Sequence, residues 1–292
     1  MSGLIDGEGT FSTSIIKSQK YKSGWTLKTW FQITLHSKDY SLLLDLQIFF
    51  GGVGSVIKKT KPAVTYSVSS IKDLTNIIIP HFDNFPLLSK KAADFILFKQ
   101  ILELMRNKAH LTREGIQEIL KIKASMNLGL SDAVKYEFSS ITPIIRPLII
   151  TTKIQNPNWL AGFVSGEGNF FINIKNSNSH KIGQLVFLSF NITQHERDTN
   201  LMELIIKYLG CGNIYKKTKQ SKIIDLRVYK FEDITKKIIP FFEKYPIRGI
   251  KHLDYLDFWE GAKLMCSGKH LLKEGLEQIR KIKNRMNKSR EH

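Results

Sequence analysis

Two short segments hold the residues best suited to chemistry. Gly3-Leu-Ile-Asp-Gly-Glu-Gly9 recurs as Gly162-Phe-Val-Ser-Gly-Glu-Gly168, so Glu8 and Glu167 each sit between two glycines at the end of an apolar, small-residue run. Gly3 and Gly7, like Gly162 and Gly166, share one face of a helix. A face without side chains lets two helices approach along their backbones. Helices paired that way bring both carboxylates to the same end of the contact, where they repel unless a proton or cation sits between them. Hard divalent ions such as Mg²⁺ take oxygen ligands of this kind. A lone glutamate between glycines is ordinarily a solvated turn; its recurrence at the end of two apolar helices singles it out.

The elements that must position these residues are themselves repeated. Phe31-Gln-Ile-Thr-Leu-His36 recurs as Phe190-Asn-Ile-Thr-Gln-His195, Lys58-Lys-Thr60 as Lys216-Lys-Thr218, and Ile78-Ile-Pro80 as Ile238-Ile-Pro240. His110-Leu with Glu114-Gly115 returns as His270-Leu with Glu274-Gly275, and Met126-Asn127 as Met286-Asn287. A constant order at a nearly constant offset means two copies of one domain. The expected division is residues 1–130, a linker at 131–155 with Pro143 and Pro147, and residues 156–292. Hydrophobic periodicity gives each copy the order αββαββαα, an α+β fold with helices on one face of an antiparallel sheet. Asn156-Pro157 reads as a helix cap with proline at the first helical position. The equivalent cap of the first copy would fall ahead of Met1, so about one turn of that helix is expected upstream.

Composition narrows the partner. The chain of 292 residues has 44 Lys+Arg against 26 Asp+Glu, a formal charge of +18. Residues 1–155 carry 20 basic and 12 acidic side chains, and residues 156–292 carry 24 and 14, so each copy has its own basic excess. That points to a polyanion such as nucleic acid. Cys211 and Cys266 are too few for a disulfide framework or a four-cysteine zinc site. No apolar run reaches the roughly 18 residues of a membrane span, and the first residues do not read as a signal peptide.

The paired segments and the blocks around them resemble the LAGLIDADG homing endonucleases in their single-chain, two-motif form. The resemblance implies a pseudo-twofold monomer with its motif helices packed at the domain interface and its sheets forming a DNA-binding saddle. It implies that Glu8 and Glu167 are catalytic metal ligands, joined by the backbone carbonyls of Gly7 and Gly166. It further implies a mitochondrial or other organellar intron-encoded enzyme. Such an enzyme cuts both strands of a DNA site of about 20 bp with Mg²⁺ and leaves short 3′ overhangs; Mn²⁺ substitutes, and Ca²⁺ supports binding without cleavage. A basic residue often stands near the metal in this family, and Lys217, Lys230 and Gln194 are the candidates. Ser165 replaces the acidic residue found at Asp6. The alternatives are a maturase that binds intron RNA on the same fold, and a DNA-binding regulator that does not cut; neither needs paired carboxylates.

Alternation along the strands nominates a DNA-reading face. In the first copy it comprises Ser12, Ser14, Lys28, Trp30, Gln32, Thr65, Ser67 and Ser69, and in the second Asn169, Asn173, Lys175, Ser189, Asn191, Arg227 and Tyr229. These side chains suit base edges. Lys58, Lys59, Lys216, Lys217 and Lys219 suit phosphates. A slip of one residue in a strand would exchange the faces. His36, His195, His110 and His270 lack zinc-site spacing and read as structural or phosphate-adjacent. Gly51-Gly-Val-Gly54 lacks the lysine of a P-loop and reads as a helix cap and turn.

Overall fold

Buried and half-exposed residues alternate from Gly9 to Ser14, which sets one face of the strand Gly9–Lys17 on a core, and the same pattern recurs in Gly168–Asn176. The computed structural model describes residues 1–20, 24–59, 62–216, 218 and 220–290. The chain divides into two units, one of Ser2 with Leu4–Ile150 and one of Met1 and Gly3 with Thr151–His292. The first contains α1 (Ser2–Glu8), β1 (Gly9–Lys17), β2 (Trp25–His36), α2 (Tyr40–Phe49), β3 (Ser55–Lys58), β4 (Ala63–Val68), α3 (71–84), α4 (Lys91–Arg106), α5 (Arg113–Ala124) and α6 (Asp132–Glu137). The second contains α7 (Pro157–Glu167), β5 (Gly168–Asn176), β6 (Gln184–His195), α8 (Thr199–Leu209), β7 (Asn213–Lys216), β8 (Ile223–Val228), α9 (231–244), α10 (Lys251–Cys266) and α11 (Lys273–Asn284). The two sheets are antiparallel, in order β1-β2-β4-β3 and β5-β6-β8-β7.

Each unit thus has the α+β character the periodicity predicts, with two more helices than αββαββαα in the first unit and one more in the second. The run 71–84 and its counterpart 231–244 stand as helices of their own. In both, a π-helical turn (Leu74–Ile78; Ile234–Ile238) precedes the proline, and the Ile79 N–H bonds back to Leu74. Pro80 and Pro240 have no N–H to give, and the widened turn absorbs the break. The segment 131–155, expected as a linker, contains α6. Val134 of that helix joins Ile116, Leu120 and Leu130 in a small core, and Trp25 packs on Phe138.

The buried face of each sheet gathers aromatic rings. Phe11 lies 5.2 Å from Phe31, Phe82 and Phe95 and 5.5 Å from Phe98. Phe170 holds the same place among Phe190, Phe242, Tyr255 and Phe258. Each such ring pair adds roughly 0.5–1.5 kcal/mol beyond the area it buries.

The repeated blocks outside the strands tie the helices to this core. Asn127 and Asn287 adopt φ of 51° and 55°. Their side-chain amides donate to the carbonyls of Phe11 (2.7 Å) and Phe170 (3.0 Å), and their backbone N–H groups donate to the buried carboxylates of Asp94 and Asp254. One residue therefore fastens an edge strand to the central helix. Arg146 completes the Asp94 site with two bonds of 2.8 and 2.9 Å, and Arg290 completes the Asp254 site. In the Glu-Gly blocks, a Cβ at Gly115 or Gly275 would fall about 2 Å from the carbonyl of Ala109 or Lys269, so only glycine lets the helix start that close.

The start of α1 is fastened through Ser2, which is buried and whose hydroxyl lies 3.1 Å from His81 Nε2 and donates to the Phe85 carbonyl at 2.9 Å. The rings of Phe49, Phe50, Phe82 and Phe85 surround His81. Burial pushes its imidazole down to about 4.

Two outcomes test these ties. Asn127→Ala should lower unfolding stability by about 2 kcal/mol, roughly half from the lost hydrogen bond and half from forcing a side chain into the left-handed region. Asn127→Gly should lose only the first part; equal losses in urea unfolding would show that backbone conformation is not part of the tie. For His81, the unfolded chain binds more protons than the folded one between about pH 6.5 and 4. Its contribution is therefore complete above that window and is lost as pH falls through it. His81→Phe, the residue type that Phe241 supplies in the second unit, should flatten the acid side of the stability profile; an unchanged slope would contradict it.

Candidate active site

In each unit the motif helix runs into the first strand with no loop between. Glu8 ends α1 and Gly9 begins β1; Glu167 ends α7 and Gly168 begins β5. A Cβ on Gly9 would lie 2.5 Å from the Ile5 side chain and 2.7 Å from the Ile5 carbonyl, and one on Gly168 would meet Val164 at 2.4 and 2.8 Å. Gly168 has ordinary extended angles, so the glycine answers to crowding rather than to a special φ. The turn holds each glutamate, half-exposed, at the mouth of its sheet. The last carbonyls of a helix lack intrahelical partners and carry the negative end of its dipole.

A lysine answers that negative end in each unit. Lys91 Nζ donates to the carbonyls of Gly7 (2.7 Å) and Ile5 (3.1 Å), and Lys251 Nζ donates to the carbonyl of Gly166. Both are the first residues of their helices, α4 and α10. That is the wrong end of a helix for a cation, which favours turning the side chain toward α1 or α7.

The residue before the second motif glycine sets this geometry. Asp6 is buried and accepts the N–H groups of Leu88 (2.5 Å) and Ser89 (3.2 Å) and the Ser89 hydroxyl. Ser89 Oγ in turn accepts the Lys91 N–H at 3.1 Å. Burial pushes the Asp6 carboxyl above its ordinary range, while these hydrogen bonds and the Lys91 charge pull it back. Ser165 does the same work with a hydroxyl: it donates to the Ala161 carbonyl and accepts the Arg248 N–H at 3.0 Å. The departure from aspartate at this position therefore keeps the bond to the loop that carries the lysine.

Of the other candidates, Lys230 is exposed and pairs with Glu232 at 3.3 Å. Gln194 pairs across the sheet with Ile224 on the helix-covered face and accepts the His195 N–H. Lys217 and Lys219 lie outside the described residues. Lys91 and Lys251 escape a reading of motifs because they reach the helix ends across 84 and 85 residues. The signal available was the recurrence of a lysine, 160 residues apart, at the start of a repeated helix.

Strand register brings the nominated sheet residues onto one face. Ser12 pairs with Trp30, Ser14 with Lys28, and Gln32 with Ser67, with Thr65 two residues along and Ser69 just beyond the strand. A concavity of about 580 Å³ is lined by Lys28, Trp30, Gln32, Ser67 and Ser69 among others. In the second unit Asn169 pairs with Asn191 and Asn191 with Arg227; Asn173, Lys175, Ser189 and Tyr229 share the parity. Ser189 is buried and accepts from Asn173 at 3.2 Å. Lys58 and Lys216 alternate to the other face. There Lys58 lies 4.6 Å over the Tyr40 ring and Lys216 pairs with Glu196 at 2.6 Å, whereas Lys59 is exposed. His36 and His195 accept the N–H groups of Lys38 and Arg197 and cap short turns. Asp225, on the polar face of the second sheet, is a residue the strand pattern passes over.

Each unit offers one motif carboxylate with a helix-end carbonyl beside it, a hard-oxygen set that fits a divalent cation. Among the described residues no cluster of three or more His, Cys, Asp or Glu could hold a metal by itself. The set suits a cation that takes its remaining ligands from water and a bound phosphate.

Residues 1–102 and 160–261 each match the family model for LAGLIDADG endonucleases. Probable intron-encoded endonuclease 3 of Neurospora crassa is 48% identical over 280 residues, covering 95% of this chain and 52% of the relative. The chain spans about half to two thirds of the length of the first curated relatives it matches. A protein in ND4 intron 1 of Podospora anserina is 44% identical over 115 residues, 39% of this chain and 25% of its own. Among solved structures, the I-SmaMI LAGLIDADG homing endonuclease bound to cleaved DNA superposes with a TM-score of 0.97 at 45% identity, covering 99% of this chain and 96% of the other. The same enzyme bound to uncleaved DNA in the presence of calcium ions gives 0.96 at 45% identity, covering 98% and 97%. With both halves matched, the chain belongs to the LAGLIDADG endonuclease family.

Proposed function

We propose that the protein is a monomeric, Mg²⁺-dependent, site-specific DNA endonuclease, encoded in an organellar intron, that cuts both strands of a target of about 20 bp. The observation that carries this reading is the repeated constellation of a glutamate, a helix-end carbonyl and a lysine beside a polar sheet face. A strand of 9 to 12 residues at about 3.3 Å per residue tracks roughly 10 bp, so two sheets account for the target length.

Glu8 with the Gly7 carbonyl, and Glu167 with the Gly166 carbonyl, would hold the cation, one set for each DNA strand. A bound divalent cation supplies Lewis acidity at the scissile phosphate and charge against its oxyanion. Lys91 and Lys251 place an ammonium at the same carbonyls, where it offsets phosphate charge and orients the water that attacks. Asp6 and Ser165 hold the loops that aim these lysines, and so act as positioning residues.

The roles separate in cleavage and binding assays on a duplex selected from a randomised library with Mg²⁺. Glu8→Gln or Glu167→Gln should abolish double-strand cleavage and leave DNA binding within about tenfold. A variant that cuts both strands at the normal rate would refute the assignment. Lys91→Met and Lys251→Met should each slow cleavage about 100-fold with little change in affinity. A loss of affinity in place of rate would make them DNA anchors instead.

A further inference from the structure

One transverse row of the second sheet differs from its counterpart in the first. Asn169 pairs with Asn191, Asn191 with Arg227, and Arg227 with Asn213, so four amide or guanidinium side chains line up across all four strands. The matching row in the first unit is Thr10, Gln32, Ser67 and Ser55, all uncharged.

Arg227 is held rather than free. Its Nη2 donates to Asp225 Oδ2 at 2.6 Å and its Nη1 to the Tyr229 hydroxyl at 3.1 Å, while the Tyr215 ring lies 5.4 Å from the guanidinium carbon. Asp225 is itself fixed by the Thr193 hydroxyl at 2.7 Å. A guanidinium with its own carboxylate adds little net attraction for phosphate, and Arg227 lies on an interior strand of its sheet. Two bonds leave most of the N–H fork unspent, in a plane fixed before any ligand arrives. Arg227 Nε and Asn191 Oδ1, on directly paired residues, are buried without hydrogen-bond partners.

We propose that Arg227 reads a guanine in the half-site bound by the second unit, through the O6 and N7 acceptors of the major-groove edge, and that Asp225 is the positioning residue that aims it. The inference rests on the DNA-endonuclease reading above. It makes the two half-sites unequal, since no residue of the first unit's row can do the same.

The test uses the full chain with the selected duplex and its single-base substitutions across the second half-site. The native protein should require guanine at one position by about 10- to 100-fold. Arg227→Ala should erase that preference and leave the other positions unchanged, and Asp225→Asn should weaken it at the same position. Arg227→Gln should shift it toward adenine, a gain that misfolding cannot imitate. A uniform loss across all duplexes with a shallower salt dependence would make Arg227 a phosphate anchor and overturn the proposal, as would an unaltered preference in Arg227→Ala. A native protein that selects no duplex would sink the endonuclease reading with it.

Discussion

Everything at the candidate site depends on a junction with no slack. Helix and strand meet between Glu8 and Gly9, and again between Glu167 and Gly168, with no connecting residue. A loop there would let the glutamate wander relative to the sheet. Crowding against Ile5 and Val164 admits only glycine at the turn, and the strand pairing that begins at once fixes its direction. The acid is thereby tied to the surface that would hold the substrate, which is the condition for positioning catalysis to work.

From that junction the supports spread outward. The motif helix ends in carbonyls that draw a lysine from the next long helix, and a buried acid or hydroxyl holds the loop before that lysine. The long helix carries Asp94 or Asp254, which grips the asparagine that in turn grips the first strand. Strand, helix and turn close a loop of contacts in each unit, so a change in one support reaches the glutamate through few intermediates.

Much of this was legible because the chain says it twice. The helix-strand order, the parity of the polar face and the glutamates all follow from residue types at repeated spacing. Parity also explains the exceptions: Gln194, Lys58 and Lys216 sit one residue off the polar set and turn to the other face. Lys91 and Lys251 were not legible as part of the site, because nothing local distinguishes an ammonium bound to a distant carbonyl from a solvated one. The asparagines of the Met-Asn blocks were visible as a repeat, but their left-handed backbone and their bond to the first strand are tertiary facts. The helix at Asp132–Glu137 was hidden in a segment whose prolines lie further on.

Asp94 and Asp254 occupy matching places, yet their arginines come from unrelated stretches of chain. Arg146 follows Asp94 by 52 residues, in the segment that leads toward the second unit. On the ribosome, at roughly 5–20 residues per second, that arginine emerges several seconds after the carboxylate it neutralises. The first unit thus has its strands and long helices in hand before Arg146 reaches Asp94. Its final closure waits on the connecting segment, which makes that segment the last component of a folding unit as well as the route to the next.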